Sequence, residues 1–401
     1  MKTILLINGI NYSSTGNIML NIAKTARKNG YKVYTACKNS RFGRKFKYDD
    51  QIYVGTRIER VISERLAYRT GLKGHYNIIN TLYFINKIKK IHPDLIHIHL
   101  LHDTFINLRM FFDFLKRSNI PIIWTFHDCW AFTGQCSYFD LNNCEKWKGQ
   151  CYECERISEY PSTKKDETEK LWLEKKENFN GVNNMLIVTP SAWLEKQIKE
   201  SFLNSYDTKI IYNGIDLNIF KPVQSQFRSN YCLENKFVVL GVSYGWSYRK
   251  GVDVFARLAR ELPDNFKIVM VGVREEDDKL IPDNVIKIRK TFDQNELAEI
   301  YSSSDLFINP TREDNFPTVN IESLACGTPV LTFNTGGSPE ALDKTCGDVV
   351  EKNNYEKLKK RIVEICQNNE YSRENCRKRA LLFNMDNKFQ EYVQLYKEKL
   401  G

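Results

Sequence analysis

No stretch of the 401 residues approaches the roughly 18 uncharged apolar residues that a membrane-spanning helix requires. The apolar run in the opening M-K-T-I-L-L-I-N-G-I is about five residues long, short of the roughly 7–15 of a secretory signal, and reads as a first buried strand. Internal repeats and low-complexity tracts are missing, as is the dinucleotide-binding pattern G-x-G-x-x-G. Eleven cysteines are an odd number, and without an export signal they point to reduced thiols rather than disulfides. The expectation is a cytoplasmic protein that can still sit peripherally against the inner face of the cell membrane. What is present is a globular composition: 42% hydrophobic and 12% aromatic residues exclude a disordered chain, a collagen-like fibre and a small disulfide scaffold. At about 150 residues per domain, the length suits two or three domains.

Charge is placed unevenly. The whole chain has 59 Lys and Arg against 49 Asp and Glu, a net +10, while residues 1–100 alone carry 18 against 5, a net +13. Such asymmetry points to an anionic partner for the N-terminal part, either a membrane surface, a lipid phosphate or nucleic acid, with an idle solvated face as the plain alternative. No nucleic-acid-binding motif accompanies it, so no nucleic acid is expected.

Short β-branched apolar runs alternate with longer amphipathic segments, the signature of βαβ units and parallel sheets. Strands are expected at 3–7, 32–36, 95–99, 121–126 and 185–189, then at 237–242, 267–271, 285–288, 306–309 and 330–333. Helical patterns fall at 17–28, 79–90, 252–261, 294–302 and 318–325. Two doubly wound domains follow, 1–212 and 213–385, joined near the turn-forming I-Y-N-G-I-D-L-N-I-F-K-P, with an amphipathic segment at 386–401. The charged stretch 156–180 reads as a surface excursion of the first domain.

In open parallel sheets ligands bind beyond the carboxyl ends of the strands. After the first strand, N-G-I-N-Y-S-S-T-G-N includes Gly9 and Gly16 and opens a helix whose free N–H groups suit an anion, though a plain turn explains it equally. After the strand at 121–126, T-F-H-D-C-W projects His127 and Asp128, where an imidazole can donate to a sugar hydroxyl and a neighbouring carboxylate can fix its tautomer. His97, His99 and His102 follow the preceding strand. In V-S-Y-G-W-S-Y-R-K-G, Arg249 and Lys250 stand before a helix where they could neutralise a diphosphate. In P-T-R-E-D-N-F-P-T-V-N-I-E-S-L-A-C-G-T-P-V, Pro317 suits the first turn of a helix that Gly327 stops. Asp314 then lies on the loop and Glu322 in the helix, with the amides of Thr318 and Val319 open to a phosphate.

Read together, these segments resemble the retaining glycosyltransferases of family 4, over almost the whole chain. The most specific matches are D-N-F-P-T-V-N-I-E-S-L-A-C-G-T-P-V at 314–330, N-G-I-D-L-N-I-F-K-P at 213–222, W-S-Y-R-K-G at 246–251, E-L-A-E-I-Y-S-S-S-D-L-F at 296–307 and V-T-P-S-A-W-L at 188–194. W-T-F-H-D-C-W-A-F-T-G-Q-C at 124–136 resembles a branch that builds bacterial capsular, exopolysaccharide or colanic-acid-type polymers. The resemblance implies the α/β GT-B fold, two Rossmann-like domains facing across a cleft, with an acceptor-binding N-terminal domain, a donor-binding C-terminal domain and a last helix that crosses back. It implies transfer of a hexose with retention from a UDP- or GDP-sugar to a glycan or a lipid-pyrophosphate-linked acceptor, with no cofactor or metal needed for catalysis. It implies roles for His127 at the anomeric carbon, Gly16 in the first loop, Glu322 at the ribose, and Lys250 with Arg249 at the diphosphate. The segment Asp314, Asn315, Phe316, Thr318 and Val319 would line the donor. The family's Glu, seven residues, Glu motif is here Asp314 and Glu322, with Glu313 adjacent, and its usual Arg five positions before the Lys is here Gly245.

Cys136, Cys144, Cys151 and Cys154, in the Cys-rich loop 129–154, are spaced C-x7-C-x6-C-x2-C, which suits a structural zinc site, free thiols or disulfides. Cys129 and Cys326 read as packing residues, and Trp130, Phe132 and Trp147 as core. A sugar-nucleotide epimerase or hydrolase on the same fold is the competing enzyme class. The nine cations Lys2, Arg41, Arg44, Lys45, Lys47, Arg57, Arg60, Arg65 and Arg69 are the expected contacts to an anionic lipid-linked acceptor or membrane.

Overall fold

The structure is a computed structural model that describes residues 1–401 apart from Lys47 and Asp103. It divides into two compact units, residues 1–211 with 389–401, and residues 212–388. In the first unit, β1 (Thr3–Ile7), β2 (Lys32–Lys38), β3 (Gln51–Val54), β4 (Leu95–Ile98), β5 (Ile122–Thr125), β6 (Met185–Thr189) and β7 (Asp207–Ile210) form a sheet in the order β3-β2-β1-β4-β5-β6-β7. In the second, β8 (Phe237–Val242), β9 (Phe266–Val271), β10 (Ile286–Ile288), β11 (Leu306–Asn309), β12 (Val330–Phe333) and β13 (Gly347–Val350) pair in the order β10-β9-β8-β11-β12-β13. Every pairing is parallel. These are two Rossmann-like doubly wound domains, as the alternating pattern predicts.

The central strands are mostly apolar, and β4, β5, β11 and β12 are buried at every position, because helices cover both faces of each sheet. In the second unit Val238 and Leu240 enter one core while Val239, between them, enters the core on the opposite face, the period of two that a strand imposes. Strand order reverses between β1 and β4 and again between β8 and β11, and each reversal opens a crevice at the carboxyl ends of those strands. The loops predicted to carry chemistry are the ones that leave β1, β5, β8 and β11.

The stretch 156–180 is corrected. Residues Thr168–Phe179 form a helix that buries Leu171, Trp172, Lys175 and Phe179. A lysine sits in its apolar stripe, which hides the amphipathic period in a sequence reading. The last helix, Met385–Leu400, buries Phe389, Tyr392, Val393, Leu395 and Tyr396, the apolar members read from its pattern.

Candidate active site

The segment after β11 is sealed almost completely. From residue 306 to 333 every residue is buried except Asp314, Thr318, Val319 and Glu322. These four are residues the sequence assigns to a ligand. The helix Thr318–Ala325 starts after Pro317 and is followed by Gly327 in the left-handed region at φ 82°. Thr318, Val319 and Glu322 therefore occupy one side of its first turn and a half, where N–H groups remain without intrahelical partners. Buried Asn320 secures that helix: its side chain donates to the Ser338 carbonyl at 3.0 Å and accepts from Asn309 at 2.8 Å.

Two loops meet here because glycine permits it. Gly251, at φ 77°, lies so close to Pro310 that a Cβ would stand 2.7 Å from its carbonyl oxygen, and a Cβ at Gly336 would stand 1.7 Å from the Asp314 carbonyl oxygen. That approach lets Lys250 Nζ reach Asp314 Oδ2 at 2.7 Å and Arg249 donate to the Glu313 carbonyl at 3.0 Å. Asp314 is thus the half-buried carboxylate paired with the Lys, whereas Glu313 is buried. Phe316 packs against Tyr212 and Phe383 in the core, so only its backbone is available to a ligand.

Glu322 keeps part of its surface open, yet the protein around it strips enough water to push its carboxyl up to about 7, against hydrogen bonds from Thr318 and Tyr301 that favour the charge. Tyr301 donates to its Oε2 at 3.3 Å. Near neutral pH this group can both accept and donate, a match for vicinal hydroxyls.

Sequence reasoning missed three contributors. Buried Arg312 holds Asp253 through two bonds of 2.8 and 2.7 Å, bonds Asn353 at 2.7 Å and lies 3.8 Å over the Tyr248 ring, so it ties the loop after β11 to the loop after β8. Arg274 fills the space beside Gly245, its Nε 2.6 Å from where a Cβ would stand. Thr335, on the loop that touches Asp314, buries a hydroxyl that has no hydrogen-bond partner among the described residues. Only contacts distant in sequence identify these residues, and no local motif marks them.

In the first unit, His127 and Asp128 do follow β5, but their partnership differs from the expectation. Asp128 accepts from His102 Nε2 at 3.1 Å and from the Trp130 amide at 2.9 Å. His127 Nε2 instead meets His99 Nδ1 at 2.9 Å. His97, His99 and His127 form a stacked row with centroid spacings of 4.3 and 5.2 Å, and the Tyr396 hydroxyl and Thr125 anchor its inner end at His97. Burial holds all three imidazoles neutral, with His97 lowered to about 3, His127 to about 4 and His99 well below its ordinary value. His99 Nε2 is buried with no hydrogen-bond partner among the described residues. A bare ring nitrogen costs less there than a stranded N–H, so the His99 proton belongs on Nδ1 and points at His127 Nε2. His127 then carries its own proton on Nδ1.

Gly16 lies in the first turn of the helix Ser13–Lys28, and a Cβ there would stand 2.8 Å from the Asn11 carbonyl carbon, so close packing against Asn11 requires a glycine. Lys175, also missed, is buried 3.7 Å over the Trp130 ring and donates to the carbonyls of Trp130 and Thr133 at 2.7 and 3.0 Å, with burial lowering its ammonium to about 7. Trp130, Phe132 and Trp147 are core residues, and Cys129 and Cys326 are packed inside.

The four-cysteine zinc expectation finds no support. Cys136, Cys144, Cys151 and Cys154 line one cavity of about 260 Å³, but among the described residues no three or more His, Cys, Asp or Glu side chains are placed to hold a metal ion. Burial pushes Cys136 up to about 12 and Cys151 to about 11, so both are neutral thiols near neutral pH. All eleven cysteines are free. Among the described residues no helix is long and apolar enough to cross a membrane.

Comparison with known proteins agrees with this geometry. The family described as "Glycosyltransferase Family 4" matches residues 15–219 and "Glycosyl transferases group 1" matches 227–382. A putative colanic acid biosynthesis glycosyl transferase, WcaC of Escherichia coli K12, is 25% identical over 271 residues, 65% of this chain and 64% of that protein. The match thus spans somewhat less than two thirds of that relative. Sucrose-phosphate synthase from Thermosynechococcus elongatus superposes with a TM-score of 0.75 at 18% identity, covering 99% of both chains. Anabaena Alr3699/HepE, solved in complex with UDP, superposes with a TM-score of 0.69 at 14% identity, covering 99% of this chain and all of that one. Two parallel doubly wound units of the GT-B kind and a family match across half the residues lead to one statement: the chain belongs to glycosyltransferase family 4.

Proposed function

We propose that the protein is a retaining hexosyltransferase that moves a sugar from a nucleoside-diphosphate-sugar to a glycan or lipid-pyrophosphate-linked acceptor in bacterial surface polysaccharide synthesis. The observation that carries this reading is the sealed segment 306–333, open only at Asp314, Thr318, Val319 and Glu322 and flanked by Lys250. The second unit is the donor-binding domain. Glu322 holds the ribose hydroxyls, the amides near Thr318 and Val319 hold phosphate, and Asp314 accepts from the sugar. Lys250 and Arg249 stabilise the negative charge on the departing diphosphate, a role fixed cations perform well in a dehydrated site. The leaving phosphate takes the acceptor hydroxyl's proton as the new bond forms on the same face, so no divalent metal and no separate carboxylate base is called for.

The first unit is the acceptor-binding domain. His127, with its proton on Nδ1, donates to the sugar or to charge developing near the anomeric centre. The UDP complex of HepE and the polymer named for WcaC support a uridine-type donor and a polysaccharide product. A thermal-shift panel of UDP-, GDP- and ADP-sugars tests the donor, since a ligand at 100 times its Kd stabilises the fold by about 2.7 kcal/mol. A shift with one nucleotide class and acceptor-dependent release of the diphosphate are expected. Release or isomerisation without an acceptor would instead establish the hydrolase or epimerase.

A further inference from the structure

The first unit turns a second apolar stripe toward solvent on two neighbouring helices. The helix Arg57–Thr70 buries Ser63 and Ala67 but exposes Ile58, Ile62 and Leu66, four residues apart, at 76%, 52% and 40%. The helix Ile78–Ile91 buries Phe84, Ile85 and Ile88 in the core, while Ile79, Leu82 and Tyr83 are 72%, 49% and 67% exposed. Hydrogen bonds join the helices where the stripes begin. The Glu59 carboxylate accepts from the Ile79 and Asn80 amides at 3.1 and 2.9 Å, and the Ser63 hydroxyl accepts from the Asn77 amide at 3.2 Å. Single exposed apolar residues are ordinary, but five aliphatic side chains and a tyrosine on two joined helices constitute a contact surface.

Charge identifies what covers it. On the first helix Arg57, Arg65 and Arg69 are exposed around the stripe, and on the second Lys87 and Lys90 continue the line of Tyr83 at helical spacing. The local acids do not offset them: Glu59 is engaged with backbone amides and Glu64 with Arg60 at 2.6 Å. Of the cations named from the sequence, Lys2 pairs with Asp94 and Arg60 with Glu64, so these two serve the fold rather than the surface. Aliphatic side chains framed by long cations suit the headgroup boundary of an anionic bilayer, whereas protein interfaces are depleted in lysine. We propose that these two helices form a docking surface for an anionic membrane, with Ile58, Ile62, Leu66, Ile79, Leu82 and Tyr83 entering the acyl boundary. The proposal deepens the lipid-linked acceptor reading and takes its purpose from it, but vesicle binding is read with no sugar nucleotide present, so either can fail alone.

The test is co-sedimentation of the full chain with vesicles of phosphatidylcholine alone or with about a third phosphatidylglycerol. Binding to the anionic vesicles only, weakened in about half-molar salt, is expected. Arg65→Gln/Arg69→Gln/Lys87→Gln should lower the partition coefficient about 100-fold, at about a factor of five per cation. Ile62→Ser/Leu66→Ser/Tyr83→Ser should lower it more than about tenfold, because apolar burial is lost, while Tm and the nucleotide-sugar thermal shift stay unchanged. Failure to pellet with anionic vesicles overturns the proposal, as does binding that both variants leave intact. A wild-type dimer that the serine variant converts to a monomer also overturns it, since the face would then belong to a second copy.

Discussion

Replacing Glu322 by Gln keeps the shape of the side chain, exchanges one acceptor oxygen for an NH2 donor and removes its titration. In the folded protein the carboxyl ionises at about 7, whereas in an unfolded chain it ionises near 4.5. Between these values the folded state binds the extra proton, so stability falls as pH rises from 4.5 through 7 and stays low above it. At 1.36 kcal/mol per pH unit the displacement corresponds to about 3 kcal/mol of stability lost to the ionised, poorly hydrated carboxylate at pH 8. Glu322→Gln is free of that penalty. It should melt about 6–12 °C above the wild type at pH 8, given about 2–4 °C per kcal/mol for a unit of this size, and close to the wild type at pH 4.5. Donor binding should move the other way, weakening about 10- to 100-fold because charge-assisted bonds to the ribose become neutral ones. Calorimetry at the two pH values and a titration with the preferred nucleotide-sugar read both effects. A variant whose Tm offset is the same at pH 4.5 and pH 8 would refute the burial argument, and unchanged donor affinity would refute the ribose assignment.

Lys250→Ala should lower kcat about 100- to 1,000-fold with circular dichroism unchanged, as removal of one preorganised donor does elsewhere; retention of a third of the wild-type kcat would remove Lys250 from the leaving-group site. Histidine-selective 15N NMR should show His127 protonated on Nδ1, and His99→Phe should abolish that preference without unfolding the protein. Alkylation of the native protein at pH 8 followed by mass spectrometry should modify exposed Cys232 and spare Cys136 and Cys151, whose thiols are neutral there. Early modification of Cys136 would contradict its burial.

Much of the fold is legible because buried parallel strands read as short, mostly apolar runs. The strands that escaped are β3, β7 and β13, all at sheet edges, where D-T-K-I and G-D-V-V mix polar residues into a half-solvated strand. At the site, Asp314, Glu322 and Lys250 are visible because a helix start, a turn and a charge lie within a few residues of one another. Arg312 is not, since its meaning comes from Asp253 and Tyr248, about sixty residues away along the chain. The His99 to His127 contact is equally hidden, because two strands must pair before the rings stack.

The near-complete sealing of residues 306–333 separates two kinds of mutational tolerance along one continuous stretch. Substitutions at the buried positions will register as lost abundance, through cavities and stranded polar groups. At Asp314, Thr318, Val319 and Glu322 the fold has slack, so a library scored for both abundance and activity should show four positions where the two scores part. The spacing of those positions, four then one then three, would mark the ligand's footprint without any ligand having to be identified.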